Sequence, residues 1–248
     1  MGIFNFHKKS NPAASANTGF YNIDLHSHLI PGVDDGVQSI GESLNIISSL
    51  VNLGIKKIIT TPHISQRYPN SPERIHQAFD QLKNKAAEKN IDIELEVAAE
   101  YMVDEGFQDI FESGKLMTFG NNFVLIELST YSPYPGFSDL LFEMQSNGYN
   151  VVLAHPERYL FWQYDFETIK KLKDRELYFQ MNILSLTKIY SAEIHKMAVQ
   201  LIKERMVDFI GSDIHNPEYL PLIKKAAEGK LYQELSVSGQ IKNNQLLA

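Results

Sequence analysis

Nine side chains able to ligate a metal recur at similar places along this 248-residue chain. His26 and His28 close the run Ile23-Asp24-Leu25-His26-Ser27-His28, and Asp35 follows in Asp34-Asp35-Gly36. His63 ends Thr60-Thr61-Pro62-His63, Glu100 ends Ala98-Ala99-Glu100 and Glu127 ends Leu125-Ile126-Glu127. His155 opens His155-Pro156-Glu157-Arg158, and Asp213 and His215 stand in Gly211-Ser212-Asp213-Ile214-His215. Residues two apart on a strand face the same way, so the imidazoles of His26 and His28 can reach one ion. A single histidine after a strand is ordinarily a satisfied side chain, and a single carboxylate there is ordinarily a helix cap. Apolar runs that end again and again in His, Asp or Glu are different. They would crowd ionisable groups into one mouth, where repulsion and desolvation are severe unless cations are present. The pattern predicts a metal centre. His7, His76 and His195 fall in the leader or on helices and read as ordinary surface residues.

Mixed nitrogen and oxygen donors suit manganese, iron, zinc or nickel and argue against calcium. The chain has no cysteine. That excludes disulfides, cysteine-held zinc, iron–sulfur clusters and any phosphatase that attacks through a thiolate. Its net charge of −7 speaks against a general nucleic-acid or anionic-membrane surface. A metal can still make one pocket cationic. No apolar run approaches the roughly 20 residues of a membrane span, and the expected location is cytoplasmic.

The elements that must position these groups alternate in type. Strands are predicted at Tyr21–Leu25, Lys57–Thr60, Ile91–Ala98, Phe123–Leu128, Asn150–Ala154, Leu177–Met181 and Asp208–Gly211. Helical spacing marks Ile40–Leu53, a run from Pro72 to about Lys89 capped by Ser71, and stretches near 137–147, 166–173, 190–205 and 217–228. About seven strand–helix units without a glycine-rich nucleotide loop favour an α/β closed or distorted barrel over a doubly wound sheet. Barrel active sites lie at the C-terminal ends of strands, where the ligand-type residues fall. Residues 1–20, with Lys8-Lys9 and Ile3-Phe4-Asn5-Phe6, read as a flexible leader, and 21–248 as one catalytic domain.

Taken together, His26-Ser27-His28, Asp34-Asp35-Gly36, His63, Glu100, Glu127, His155 and Asp213-Ile214-His215 resemble the signature of the PHP (polymerase and histidinol phosphatase) superfamily. The strings Asp24-Leu25-His26-Ser27-His28-Leu29-Ile30-Pro31-Gly32-Val33-Asp34-Asp35-Gly36, Ala154-His155-Pro156-Glu157-Arg158-Tyr159 and Ser212-Asp213-Ile214-His215-Asn216 are similar to its branch of bacterial capsule and exopolysaccharide tyrosine phosphatases. The resemblance covers about residues 20–230. It implies a PHP fold, a distorted (β/α)7 TIM-like barrel, with three divalent ions, manganese first among them. By position, His26, His28, Glu100 and Asp213 hold the first ion. Glu100 bridges to a second held by Glu127 and His155, and Asp35, His63 and His215 hold the third. Four ligand carboxylates against three dications leave the pocket cationic.

The implied reaction is direct hydrolysis of phosphotyrosine by a metal-bridged hydroxide, on a partner protein that the family suggests is a tyrosine autokinase of polysaccharide export. Arg158 reads either as a bidentate contact to the phosphoryl group or as a surface arginine. Tyr131, Tyr134, Tyr159, Phe161, Trp162 and Tyr164 read either as a slot for the substrate ring, with Tyr131 and Tyr159 foremost, or as loop packing. The chain departs from the family pattern after Asn216, where relatives often carry an arginine and this sequence has Pro217-Glu218-Tyr219-Leu220. Competing readings are a small-molecule phosphoesterase such as histidinol-phosphate phosphatase, an exonuclease module, and a metal-holding scaffold without turnover. The acidic balance weighs against the exonuclease.

Overall fold

Short segments of two to five residues, most of them carrying Val, Ile or Leu, become parallel strands in the computed structural model, which describes residues 21–247. The expected leader lies outside the described residues. One sheet holds β1 (Ile23–Asp24), β2 (Lys57–Thr60) and β4 (Glu94–Val97), in the order β1-β2-β4. The other holds β3 (His63–Ile64), β5 (Glu100–Met102), β6 (Phe123–Glu127), β7 (Asn150–Ala154), β8 (Tyr178–Asn182) and β9 (Phe209–Gly211), in that order.

The two sheets are parts of one ring. β2 and β3 follow one path, broken at Thr61-Pro62, where proline has no N–H to donate. β4 and β5 do the same around Ala98-Ala99. Backbone bonds cross these breaks, from Ala98 N to Thr60 O at 3.0 Å and from Glu100 N to Pro62 O at 3.1 Å. A parallel bridge between Ser27 and Ile214 joins the first strand's exit to the last. His28 N donates to Ile214 O at 3.0 Å, and Asp213 N to His26 O at 2.7 Å. Seven strand positions result, and the distorted barrel read from the sequence is the fold.

Helices cover the outside: α1 (Ile40–Leu53), α2 (Pro72–Glu88), α3 (Phe107–Glu112), α4 (Phe137–Ser146), α5 (Phe166–Lys173), α6 (Ala192–Lys203), α7 (Leu220–Ala227) and α8 (Lys230–Val237). Four of these helices start with a side-chain cap. Ser39, Ser71, Asp165 and Ser191 each accept a backbone N–H of the first turn, which satisfies an otherwise orphaned donor. Gly54, at φ 108°, ends α1 in the left-handed conformation glycine tolerates. The stretch expected to be helical near 217–228 begins as a 3₁₀ turn, Pro217–Tyr219, before α7.

Alternation along the strands explains where the candidate ligands point. Val124, Ile126, Val151 and Leu153 face the helices. Ile23, Leu25, Ile59, Ala98, Leu125, Val152, Ala154 and Phe209 pack together inside the ring. Each Ile, Leu, Val or Phe among them stabilises the fold by about 1.5–3 kcal/mol when fully buried. Continuing the inner face by two residues leads from Leu125 to Glu127 and from Ala98 to Glu100. The apolar lumen therefore becomes a polar mouth at the C-terminal ends of the strands.

The opposite end of the lumen is closed by the chain's last turn, Asn243–Leu247. Leu246 packs into the lumen. The buried Asn243 amide donates to Ile23 O at 2.8 Å and Ile210 O at 2.7 Å, and accepts from Ile210 N at 2.9 Å. It ties β1 to β9 below the Ser27–Ile214 bridge.

Candidate metal centre

His26 and His28 lie just past β1, fully buried, with their Nε2 atoms 3.3 Å apart. Each is oriented by a partner on its other nitrogen. Gln180 Oε1 is 2.7 Å from His26 Nδ1, and Asp34 Oδ2 is 2.8 Å from His28 Nδ1. An acceptor at Nδ1 fixes the proton there and leaves the Nε2 lone pair facing the centre. Glu100, the first residue of β5, is fully buried between them. Glu127 ends β6, His155 follows β7 and Asp213 follows β9, all buried. His63, on β3, and His215 border the mouth and are partly exposed. His215 Nδ1 is 2.9 Å from the carbonyl two residues back, Asp213 O, and its Nε2 lies on the side of Asp35.

Four overlapping groups have ligand atoms close enough to share an ion: His26, His28 and Asp213; His26, Glu100 and His155; His63, Glu100 and Glu127; and His28, His63 and His215. Asp35 stands furthest out. Its exposed carboxylate is 3.5 Å from His63 Nε2 and 3.7 Å from His215 Nε2. The backbone bends to bring two of these groups in. His155 at φ 34° and Asp213 at φ 50° both adopt left-handed conformations that cost non-glycine residues about 1–3 kcal/mol.

Glu100 Oε2 tests whether the site suits cations. It lies 3.1 Å from His26 Nε2, 3.2 Å from His63 Nδ1 and 3.4 Å from His28 Nε2. It makes a well-directed hydrogen bond to none of them, although it is buried. Short distances without hydrogen-bond geometry are what lone pairs show when they converge on a point rather than on a proton. The donor set is all imidazole and carboxylate, which fits a borderline divalent ion.

Charges are strongly coupled here. Burial pushes the His26 imidazole down, but Glu100 and Asp213 outweigh it and lift it to about 9. Burial pushes the Glu100 and Asp213 carboxyls up, and the surrounding cationic imidazoles drive both well below the usual range. The carboxylates thus favour positive charge at the centre, whether carried by protons or by metal.

The description "Capsular polysaccharide synthesis, CpsB/CapC" belongs to a family model that matches residues 22–236. The chain belongs to this family. Among curated CpsB/CapC relatives, the tyrosine-protein phosphatase YwqE of Bacillus subtilis is 28% identical over 197 residues, 78% of this chain and 77% of its own. A putative tyrosine-protein phosphatase CapC of Staphylococcus aureus is 27% identical over 233 residues, 91% of this chain and 90% of its own. Among solved structures, one of YwqE from Bacillus subtilis and CpsB from Streptococcus pneumoniae, called unique metal-dependent tyrosine phosphatases, superposes with a TM-score of 0.78 at 24% identity. It covers 91% of this chain and 94% of that one. A zinc-containing histidinol phosphate phosphatase from Lactococcus lactis shares the fold more distantly, at a TM-score of 0.50 and 17% identity.

In this CpsB/CapC chain, Arg158 sits on the 3₁₀ turn after His155, and its Nη1 donates to Asp213 Oδ2 at 2.9 Å. Its guanidinium lies 5.4 Å from the Tyr190 ring centre and is one-third exposed. Tyr131 projects from the loop after β6, 82% exposed. Of the two readings of Tyr159, the structure shows the packing one. Its ring is fully buried, and its hydroxyl donates to Ala154 O at 2.9 Å while accepting from Leu128 N at 3.0 Å. Both hydrogen-bond roles are spent tying β7 to the loop after β6. Trp162 is buried beside it, whereas Tyr164 is 95% exposed.

Sequence reasoning missed the groups that orient the candidate ligands. Gln180 and Asn182 share the inner face of β8 and are fully buried. Gln180 Nε2 donates to Asn182 Oδ1 at 3.0 Å, and Asn182 Nδ2 donates to Asp213 Oδ2 at 2.6 Å. The amide pair therefore links His26 to Asp213. Buried Glu157 anchors the same strand end by accepting from Asn182 N at 3.0 Å and Ser185 Oγ at 2.7 Å. Two amides at period two in an otherwise apolar strand were the available signal.

Proposed function

We propose that this protein is a metal-dependent protein-tyrosine phosphatase that hydrolyses phosphotyrosine directly, without a covalent enzyme intermediate. The observation that carries the reading is Glu100, buried where three imidazoles converge on one carboxylate oxygen without hydrogen-bonding it. The names of the CpsB/CapC relatives supply the substrate class. His26, His28, Glu100 and Asp213 would hold one divalent ion, Glu100, Glu127 and His155 a second, and Asp35, His63 and His215 a third, with manganese the first choice. Such ions acidify water at neutral pH and neutralise phosphoryl oxygens.

The chain's own residues do the rest. Gln180 and Asp34 keep the Nε2 lone pairs of His26 and His28 turned inward. Arg158, fixed by Asp213, presents its remaining N–H groups at the mouth, where charge builds on the phosphoryl group. No cysteine exists to act as nucleophile. No described helix is long and apolar enough to cross a membrane. A cytoplasmic enzyme acting on a tyrosine autokinase of polysaccharide export is the physiological setting we infer.

One preparation tests the reading. Elemental analysis of protein purified without chelator should find at least two divalent ions per chain. Turnover of a phosphotyrosine peptide should exceed that of a phosphoserine peptide and of histidinol phosphate, and EDTA should abolish it. Full activity in metal-free protein would sink the mechanism. Equal turnover of the phosphoserine and phosphotyrosine peptides would leave a generic phosphoesterase.

A further inference from the structure

The metal mouth continues into a groove. Asp35, His63 and Glu127 line one cavity of about 460 Å³. A second cavity of about 560 Å³ shares Gln66, Met102 and Asp104 with the first and runs on to Ser132 and Tyr134. The floor between them is preformed. Gln66 N donates to Asp104 Oδ2 at 2.8 Å, so the loop after β3 is tied to the loop after β5. The far wall is stiff, because Ser132-Pro133-Tyr134-Pro135 contains two residues with locked φ.

A small phosphate ester at the ligands would use only the near cavity. The far cavity contains none of the candidate ligands, yet it is continuous with them. Its lining mixes apolar rings and Met102 with Gln66 and Ser132, whose side chains make no hydrogen bond within the described residues. That combination suits a peptide backbone with modest side chains. Charge sets a direction. Among the described residues lining the groove, Arg67 is the one arginine or lysine, and it sits in the near cavity with its guanidinium 5.1 Å from the Tyr68 ring centre. Asp104 lines both parts, and exposed Glu105 lines the far part alone.

We propose that this groove receives the extended polypeptide flanking the phosphotyrosine and favours neutral or basic residues there over acidic ones. The proposal rests on the phosphatase reading and deepens it: selection of the phosphoprotein lies in the loops after β3, β5 and β6.

The test compares kcat/KM for p-nitrophenyl phosphate with that for phosphotyrosine heptapeptides carrying lysine, alanine or glutamate flanks, using the metal-loaded protein. Wild type should prefer lysine and alanine flanks over glutamate. Ser132→Trp, on an exposed loop, should lower the ratio of peptide to p-nitrophenyl phosphate at least tenfold. Glu105→Lys should reverse the order of lysine and glutamate flanks. Metal content and melting temperature of both variants serve as folding controls. An unchanged ratio and flank order in both variants, or equal losses on all substrates, would overturn the groove. Wild type that cleaves neither class of ester would instead overturn the phosphatase reading.

Discussion

Replacing Asn182 by leucine removes a buried amide of similar shape and leaves every candidate ligand in place. Asp213 Oδ2 then keeps only the Arg158 guanidinium at 2.9 Å, and Gln180 Nε2 loses its acceptor. A hydrogen bond to a charged group contributes about 1.5–3 kcal/mol net. At about 1.4 kcal/mol per decade, that is roughly ten- to hundredfold in metal affinity. The same range is typical when a partner that orients a ligand is lost. The assay is metal competition against a chromophoric chelator, paired with turnover at increasing metal. The metal concentration for half-maximal activity should rise by about that factor, while kcat at saturating metal recovers. Gln180→Leu should act alike through His26, and the double variant should cost less than the sum because the two amides bond each other. Affinity within about threefold of wild type for Asn182→Leu, well short of the expected decade, would refute the idea that β8 positions the ligands.

Three further outcomes follow from packing. Tyr159→Phe should lower the stability of the chain by about 1–3 kcal/mol, read by denaturant titration, because Leu128 N and Ala154 O lose a buried partner; its ratio of aryl to alkyl phosphate turnover should not change. Gly211→Ala should impair metal retention, since a Cβ there would come within 2.7 Å of His26 Cβ and 2.9 Å of Gln180 Nε2. Overpacking of this kind costs about 1–3 kcal/mol, and elemental analysis beside circular dichroism separates lost metal from lost fold. Asn243→Ala should lower the melting temperature, because three buried backbone bonds lose their partner.

The fold and the convergence of these His, Asp and Glu side chains were legible because both rest on short-range pattern. Apolar runs that end in His, Asp or Glu state the strand, its end and the chemistry together. The breaks at Thr61-Pro62 and Ala98-Ala99 were less visible. Lys57–Thr60 and His63 belong to one path that bends, and the alternating run at 91–98 stops two residues short of Glu100. Gln180 and Asn182 were hidden inside a run that reads as strand body, since what they bond lies more than 30 residues away for Asp213 and 154 away for His26. Tyr159 stayed open between substrate slot and packing because nearness to His155 along the chain does not state which way a ring points. Its ring turns inward to serve Ala154 and Leu128. The last turn carried no periodic signal at all, and only the lumen it fills gives it meaning.

The seam between the first and last strands places the centre late in the life of the nascent chain. His26 and His28 emerge from the ribosome early, yet the backbone that steadies them comes from the other end. Ser212 donates through its N and Oγ to the Asp24 carboxylate at 2.8 and 2.6 Å, across 188 residues. Asn243 reaches Ile23 across 220. Contacts of such separation carry a large loop-closure cost and form slowly. An unfinished chain could gather a few histidines around an ion, but it would lack Asp213, His215 and the amide pair that aligns them. On the proposed metal reading, a product that ends before Asp213 should retain fewer ions than the full chain, which elemental analysis of the two would show.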